Sequence, residues 1–135
     1  MDYAYLTTPF LAWLVAGSLK FAINSAKARK AAFGLIGYGG MPSNHSAIVT
    51  SMATLIALRE GIDQPAFGVA LTLAFIVIMD AASLRRQIGS HAVAINRLTP
   101  EGTMLRERIG HTRWEILGGI IVGVLVATAI QHFSL

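Results

Sequence analysis

Cysteine is absent from the 135 residues. That excludes disulfide scaffolds, thiolate zinc sites and thiol nucleophiles, and it leaves the redox compartment unread. Charge is scarce as well: 13% of the residues are charged, 54% are hydrophobic, and the mean hydropathy is positive. Acidic residues are the rarer sign, 7 against 11 Lys and Arg. In a soluble protein that basic surplus would point to nucleic acid. A chain this apolar is no solvated basic domain, and no nucleic-acid partner is expected. Internal repeats and low-complexity tracts are missing. No basic stretch precedes the first apolar run, so a cleaved signal peptide is not expected. The length suits one domain, 1–135.

What is present reads as membrane-spanning. A bilayer core needs about 20 mostly apolar residues per helix. Four segments approach that. Residues 4–19 carry no charge and run past Lys20 to Ile23. Residues 39–58 have no formal charge apart from His45, residues 65–84 carry only Asp80, and residues 116–135 carry none. Gly17, Gly68, Gly118, Gly119 and Gly123 suit close helix packing in lipid. A soluble bundle would need a polar stripe through 116–135, and there is none. The expected fold is therefore all-α: an integral membrane helical bundle with four main transmembrane helices and a short amphipathic surface helix.

Charge placement gives an orientation. Lys27, Arg29 and Lys30 follow the first segment. Arg85, Arg86, Arg97, Arg106, Arg108 and Arg113 precede the fourth, against Glu101 and Glu107. Arg59 in the middle loop is balanced by Glu60 and Asp63. Both basic loops then belong in the cytoplasm and both termini outside, in what is expected to be the cytoplasmic membrane. In the long basic loop, Thr99-Pro100-Glu101 resembles a helix start and Gly110 its stop. That stretch is expected to lie along the membrane surface.

The unusual polar residues gather at the same edge. Charged groups at membrane depth are functional candidates by default. Pro42-Ser43-Asn44-His45 opens the second helix, where free N–H groups and the dipole favour an anion. Ser43 acting only as a cap, with His45 facing headgroups, is the other reading. His111 and Glu115 are four apart and share a helix face. A carboxylate on one ring nitrogen fixes the tautomer and leaves the other nitrogen as a lone-pair donor, which suits a nucleophilic or basic histidine. Thr112-x-x-Glu115 is also a capping box, which would occupy the carboxylate with backbone. Zinc is a poor fit without a third ligand nearby. Trp114 reads as an interface anchor, and His91 and His132 receive no role. Arg85 and Arg86 suit bidentate phosphate contact, although snorkelling and topology explain part of them. Lys20 supplies a point charge. Asp80 pairs with Arg or Lys20, or sits in the site. These parts describe a pocket for a phosphate dianion: cations hold its oxygens, one histidine attacks phosphorus and another protonates the leaving oxygen.

Three blocks carry a resemblance. Gly-Gly-Met-Pro-Ser-Asn-His-Ser-Ala at 39–47, Met-Asp-Ala-Ala-Ser-Leu-Arg-Arg at 79–86 and Leu-Arg-Glu-Arg-Ile-Gly-His-Thr-Arg-Trp-Glu at 105–115 resemble the divergent branch of the type 2 phosphatidic acid phosphatases. That superfamily also holds the vanadium-dependent haloperoxidases. The resemblance implies Lys20 as a phosphate ligand, with Lys27 or Arg29 in place of the first block's arginine. It implies that Ser43 binds phosphate, with Asn44 in a glycine's place, and that His45 is the general acid. It implies His111 as the nucleophile and Glu115 as its orienting carboxylate. Leu105 stands where the third block has arginine, with Arg106 beside it, and Arg85 or Arg86 is the other source of that charge.

The expected activity is hydrolysis of a lipid phosphate monoester or diphosphate, such as a prenyl or glycerolipid phosphate, through a phosphohistidine. The scheme requires no cofactor and no metal, though Asp80 leaves room for one. Partners are the lipid phosphate and membrane lipids. A homodimer fits, because four short spans leave little room for an enclosed pocket. The alternative is a non-catalytic protein that binds anionic headgroups as a scaffold. A small transporter is a third reading, but no polar path crosses the bilayer.

Overall fold

The computed structural model describes residues 3–29, 40–99 and 101–133. Lys30, Gly39 and Pro100 of the sequence reading lie outside them. Five helices follow in order: α1 (Ala4–Ala28), α2 (Asn44–Arg59), α3 (Pro65–Ala82), α4 (Leu84–Leu98) and α5 (Arg113–Phe133). No strand occurs among the described residues.

Local chemistry sets the boundaries. Arg29, at φ 51°, closes α1 with its N–H on the carbonyls of Ser25 and Ala26. Ser43 caps α2, its hydroxyl accepting from the Ser46 N–H. Gly61, at φ 99°, turns the chain after α2, a conformation that favours glycine. Pro65 opens α3 in the first turn, where its missing N–H costs nothing.

α1, the run Pro65–Leu98 and α5 are long and apolar enough to cross a membrane. α2 is the short one. Its 16 residues rise about 24 Å. It packs against α1, α3 and α5, and these three surround it. The core is made of small residues: Ala12, Ala16, Ala47, Ala81 and Ala127 are fully buried, while Phe10, Leu14, Val69, Phe75 and Leu125 face outward. Such an inside-out distribution suits lipid, where helices associate by close backbone approach. Gly119 and Gly123 of α5 form the tightest seam. A Cβ on Gly119 would run into the Ser43 carbonyl, and one on Gly123 would lie 2.6 Å from the Ala47 carbonyl.

One boundary differs from the expectation. The amphipathic helix is α4, at 84–98, not the stretch 99–110. Thr99 precedes a proline and leaves the helical region at φ −128°, ψ 63°. The chain then folds back on α4. Buried Asn96 accepts from the Leu105 N–H at 2.8 Å and donates to the Leu105 carbonyl and to Glu107 Oε1, each at 2.9 Å. These bonds satisfy backbone groups that a helix would have paired internally. Gly89 permits the approach, since a Cβ there would collide with the Glu107 carbonyl.

The two ends of the bundle differ. At one, Tyr5 donates to Glu60 Oε1 at 2.5 Å, Arg59 Nε donates to Gln131 Oε1 at 2.7 Å, and the Arg59 guanidinium lies 5.4 Å from the Tyr5 ring centre. The other end gathers the end of α1, the starts of α2 and α5, and the α3–α4 junction.

Candidate active site

His45 stands in the first turn of α2. Its Nε2 lies 3.2 Å from Arg85 Nη1. A guanidinium only donates, so Nε2 accepts and the ring proton of a neutral His45 resides on Nδ1. That Nδ1 and Asn44 Oδ1 are buried without a partner among the described residues. Arg85 is itself aimed by Asp80, whose Oδ2 accepts from Nε at 2.6 Å across the Ser83 break between α3 and α4.

His111 arrives from the returning segment. Its N–H donates to the Ala81 carbonyl at 3.0 Å. Gly110 before it has φ 94° and crosses the α3–α4 junction so closely that a Cβ would lie 3.0 Å from the Arg86 nitrogen. Glycine is needed there for conformation and for space. The His111 side chain is buried, with Nδ1 3.3 Å from Glu115 Oε2. Nδ1–H donates to the carboxylate, and Nε2 keeps its lone pair. Glu115 Oε2 also accepts from the Thr112 N–H at 2.9 Å, while Glu115 N–H donates to Thr112 Oγ1 at 3.3 Å. The capping box and the orienting contact therefore coexist. Arg108 Nη2 completes the carboxylate's shell, 3.4 Å from Oε1.

The two imidazole centres are 6.3 Å apart with planes tilted by 55°. Burial pushes His111 below its ordinary pKa, the Lys20 ammonium pushes the same way, and Glu115 opposes both. Around the rings stand three cations, Lys20, Arg85 and Arg108, and two carboxylates, Asp80 and Glu115. With neutral imidazoles the cluster is net positive, as an anion site should be.

The profile of the Divergent PAP2 family matches residues 1–126. The chain belongs to that family. It is also similar to a protein named "Uncharacterized membrane protein YuiD" of Bacillus subtilis (strain 168), with 31% identity over 148 residues, covering 95% of this chain and 94% of that one. No solved structure matches.

Within this Divergent PAP2 protein, the fold unites residues from four distant stretches. Lys20 is half-buried on α1, and buried Ser43 ties the site loop to α5 through its N–H on the Glu115 carbonyl, 2.8 Å away. Other singled-out residues stand apart. Arg86 is exposed, with its backbone and stem packed beneath Gly110. Lys27, Arg29 and Arg106 are exposed. Trp114 is also exposed. Among the described residues, no three His, Asp or Glu side chains gather as a metal site would.

Two contributors escaped the sequence reading. In the sequence Arg108 reads only as loop charge, and its place three residues before His111 is the available signal. Asn24 lies one turn beyond Lys20, and its amide is 3.6 Å from where a Gly40 Cβ would sit. It thus borders the site loop beside Lys20.

Proposed function

We propose that the protein is a membrane lipid phosphatase that hydrolyses a lipid phosphate monoester or diphosphate. One observation carries the reading: two imidazoles 6.3 Å apart, one braced by a carboxylate on Nδ1, the other bonded to an arginine. That separation suits one phosphoryl group between them.

In the proposed sequence, His111 Nε2 attacks phosphorus while the bond to the lipid oxygen breaks. His45, protonated once the bound phosphoryl anion draws Arg85 away from its Nε2, gives its proton to the departing oxygen. Water, deprotonated by the now neutral His45, then attacks the phosphohistidine, releasing phosphate and restoring both rings. Glu115 holds the His111 tautomer and stabilises its positive charge. Lys20, Ser43 and Arg85 hold the phosphoryl oxygens, and most of the acceleration comes from such placement and charge. The lipid character of the substrate rests on the apolar outer faces around the site. The basic loops favour the cytoplasmic side of the cytoplasmic membrane, hence an inner-leaflet substrate.

The test is phosphate release by purified protein from a panel of prenyl, glycerolipid and diphosphate lipids, with His111→Ala and His45→Ala in parallel. Release by wild type that both substitutions remove is the expected result. Equal release by all three would sink the mechanism. Headgroup binding that survives both changes, without turnover by wild type, would establish the scaffold instead.

A further inference from the structure

α4 packs mainly against its neighbour α3 and the returning segment, and it reaches α2 through Arg85 on His45. One of its faces is left bare. Leu84, Ile88, Ile95 and Leu98, spaced four, seven and three apart, fall on a single helical stripe and are 53%, 44%, 45% and 81% exposed. His91 lies within the stripe, an amphipathic ring that an interface tolerates. The buried face, Gly89, Ala92 and Asn96, lies roughly a third of a turn away, against the returning segment. Arg86 and Arg97, both exposed, occupy the remaining sector. The hairpin formed by α4 and the returning segment holds five arginines, at 85, 86, 97, 106 and 108, against Glu101 and Glu107.

We infer that α4 is a docking arm for the anionic membrane surface: its apolar stripe enters the boundary of the acyl chains, and the flanking arginines take lipid phosphates. An apolar stripe beside a basic sector is the arrangement that an anionic lipid surface recognises. A protein partner would need no such surplus of one charge. The arm joins the site at both ends. Arg85 in its first turn reaches His45, and Asn96 near its last turn clips the segment that delivers Arg108 and His111. Docking does not depend on the proposed hydrolysis, so it is tested by depth rather than by turnover.

The absence of cysteine makes single-cysteine labels clean. Arg86→Cys, Ile88→Cys, Ile95→Cys and Arg97→Cys, each in the full chain carrying a nitroxide, would be placed in phosphatidylcholine vesicles with and without phosphatidylglycerol. Collision rates with oxygen and with a water-soluble nickel complex report depth. The oxygen-to-nickel ratio should be severalfold higher at 88 and 95 than at 86 and 97, and phosphatidylglycerol should raise it further at 88 and 95. Arg86→Gln with Arg97→Gln, in the background of the label at 95, should cancel that lipid response. Equal aqueous access at all four positions would overturn the proposal. So would immersion indifferent to phosphatidylglycerol. Spin–spin broadening at 88 and 95 would overturn it too, because a second copy would then cover the stripe.

Discussion

His111 sits under opposing influences, and these give predictions with opposite signs. Burial and the Lys20 charge lower its pKa, while Glu115 raises it. A nucleophilic imidazole must be unprotonated, so the acid limb of kcat/KM should fall below the ordinary histidine range. Lys20→Met removes a lowering charge and should move that limb to higher pH, besides weakening substrate binding. Glu115→Gln removes the raising partner and should move it lower, while reducing turnover by up to about 10⁴-fold, the scale seen when an orienting carboxylate is neutralised in a catalytic triad. Rate–pH profiles of the three proteins decide it; a limb shifted the same way by both changes would contradict the arrangement. The same depression has a stability consequence. The folded state binds fewer protons at His111 than the unfolded chain, so its contribution is present above the unfolded pKa and is lost as pH falls through the folded one. Much of this neighbourhood was legible in sequence because short blocks fix it: the four-residue spacing brings His111 to Glu115, although through the turn that precedes α5 and not along a helix face, since the helix begins only at Arg113. The partner of Glu115 Oε1 was not legible. Arg106 and Arg108 look equivalent in a string, and only the fold of the returning segment selects Arg108.

Helix–helix seams explain why the apolar segments could be read so directly while the surface helix was misplaced. Spans announce themselves by length and lack of charge, which are properties of the string. α4 and the stretch after it depend on a tertiary contact. A stretch of about ten residues gains little from helix formation unless it buries a face, and the Asn96 amide offers 101–110 a competing set of bonds. Asn96→Leu should leave those groups unpaired, at a cost of about 1–3 kcal/mol, and should expose Arg106 and Arg108 to trypsin. Digestion no faster than wild type would show that the clip does not hold the segment. The α2–α5 seam gives a second test. Gly119→Ala places a methyl against the Ser43 carbonyl and the Ser46 side chain. Overpacking there should cost about 1–3 kcal/mol, read as a lower Tm in detergent. Gly68→Ala, which meets nothing within 4 Å, serves as the control.

The bundle as a unit is polarised. One end is closed by Tyr5, Arg59, Glu60 and Gln131, with charges matched. The other collects Lys27 and Arg29 at the end of α1, the arginines of α4 and the returning segment, and His45 and His111. A protein with this asymmetry should enter the membrane one way, since loops rich in Lys and Arg resist translocation. The proposed cytoplasmic placement of the site predicts a labelling pattern in intact bacterial cells. Asp63→Cys, in the exposed turn between α2 and α3, should react with an impermeant maleimide added outside, while Arg97→Cys should react only after the cells are opened. Because the chain has no cysteine of its own, wild type supplies a blank. The reverse pattern would put the histidines on the outer face, and any lipid phosphate they act on would then have to come from the outer leaflet. Labelling of both positions from outside would mean two populations of opposite orientation. In that case the loop arginines would have to be explained by headgroup and substrate binding, with no part in topology.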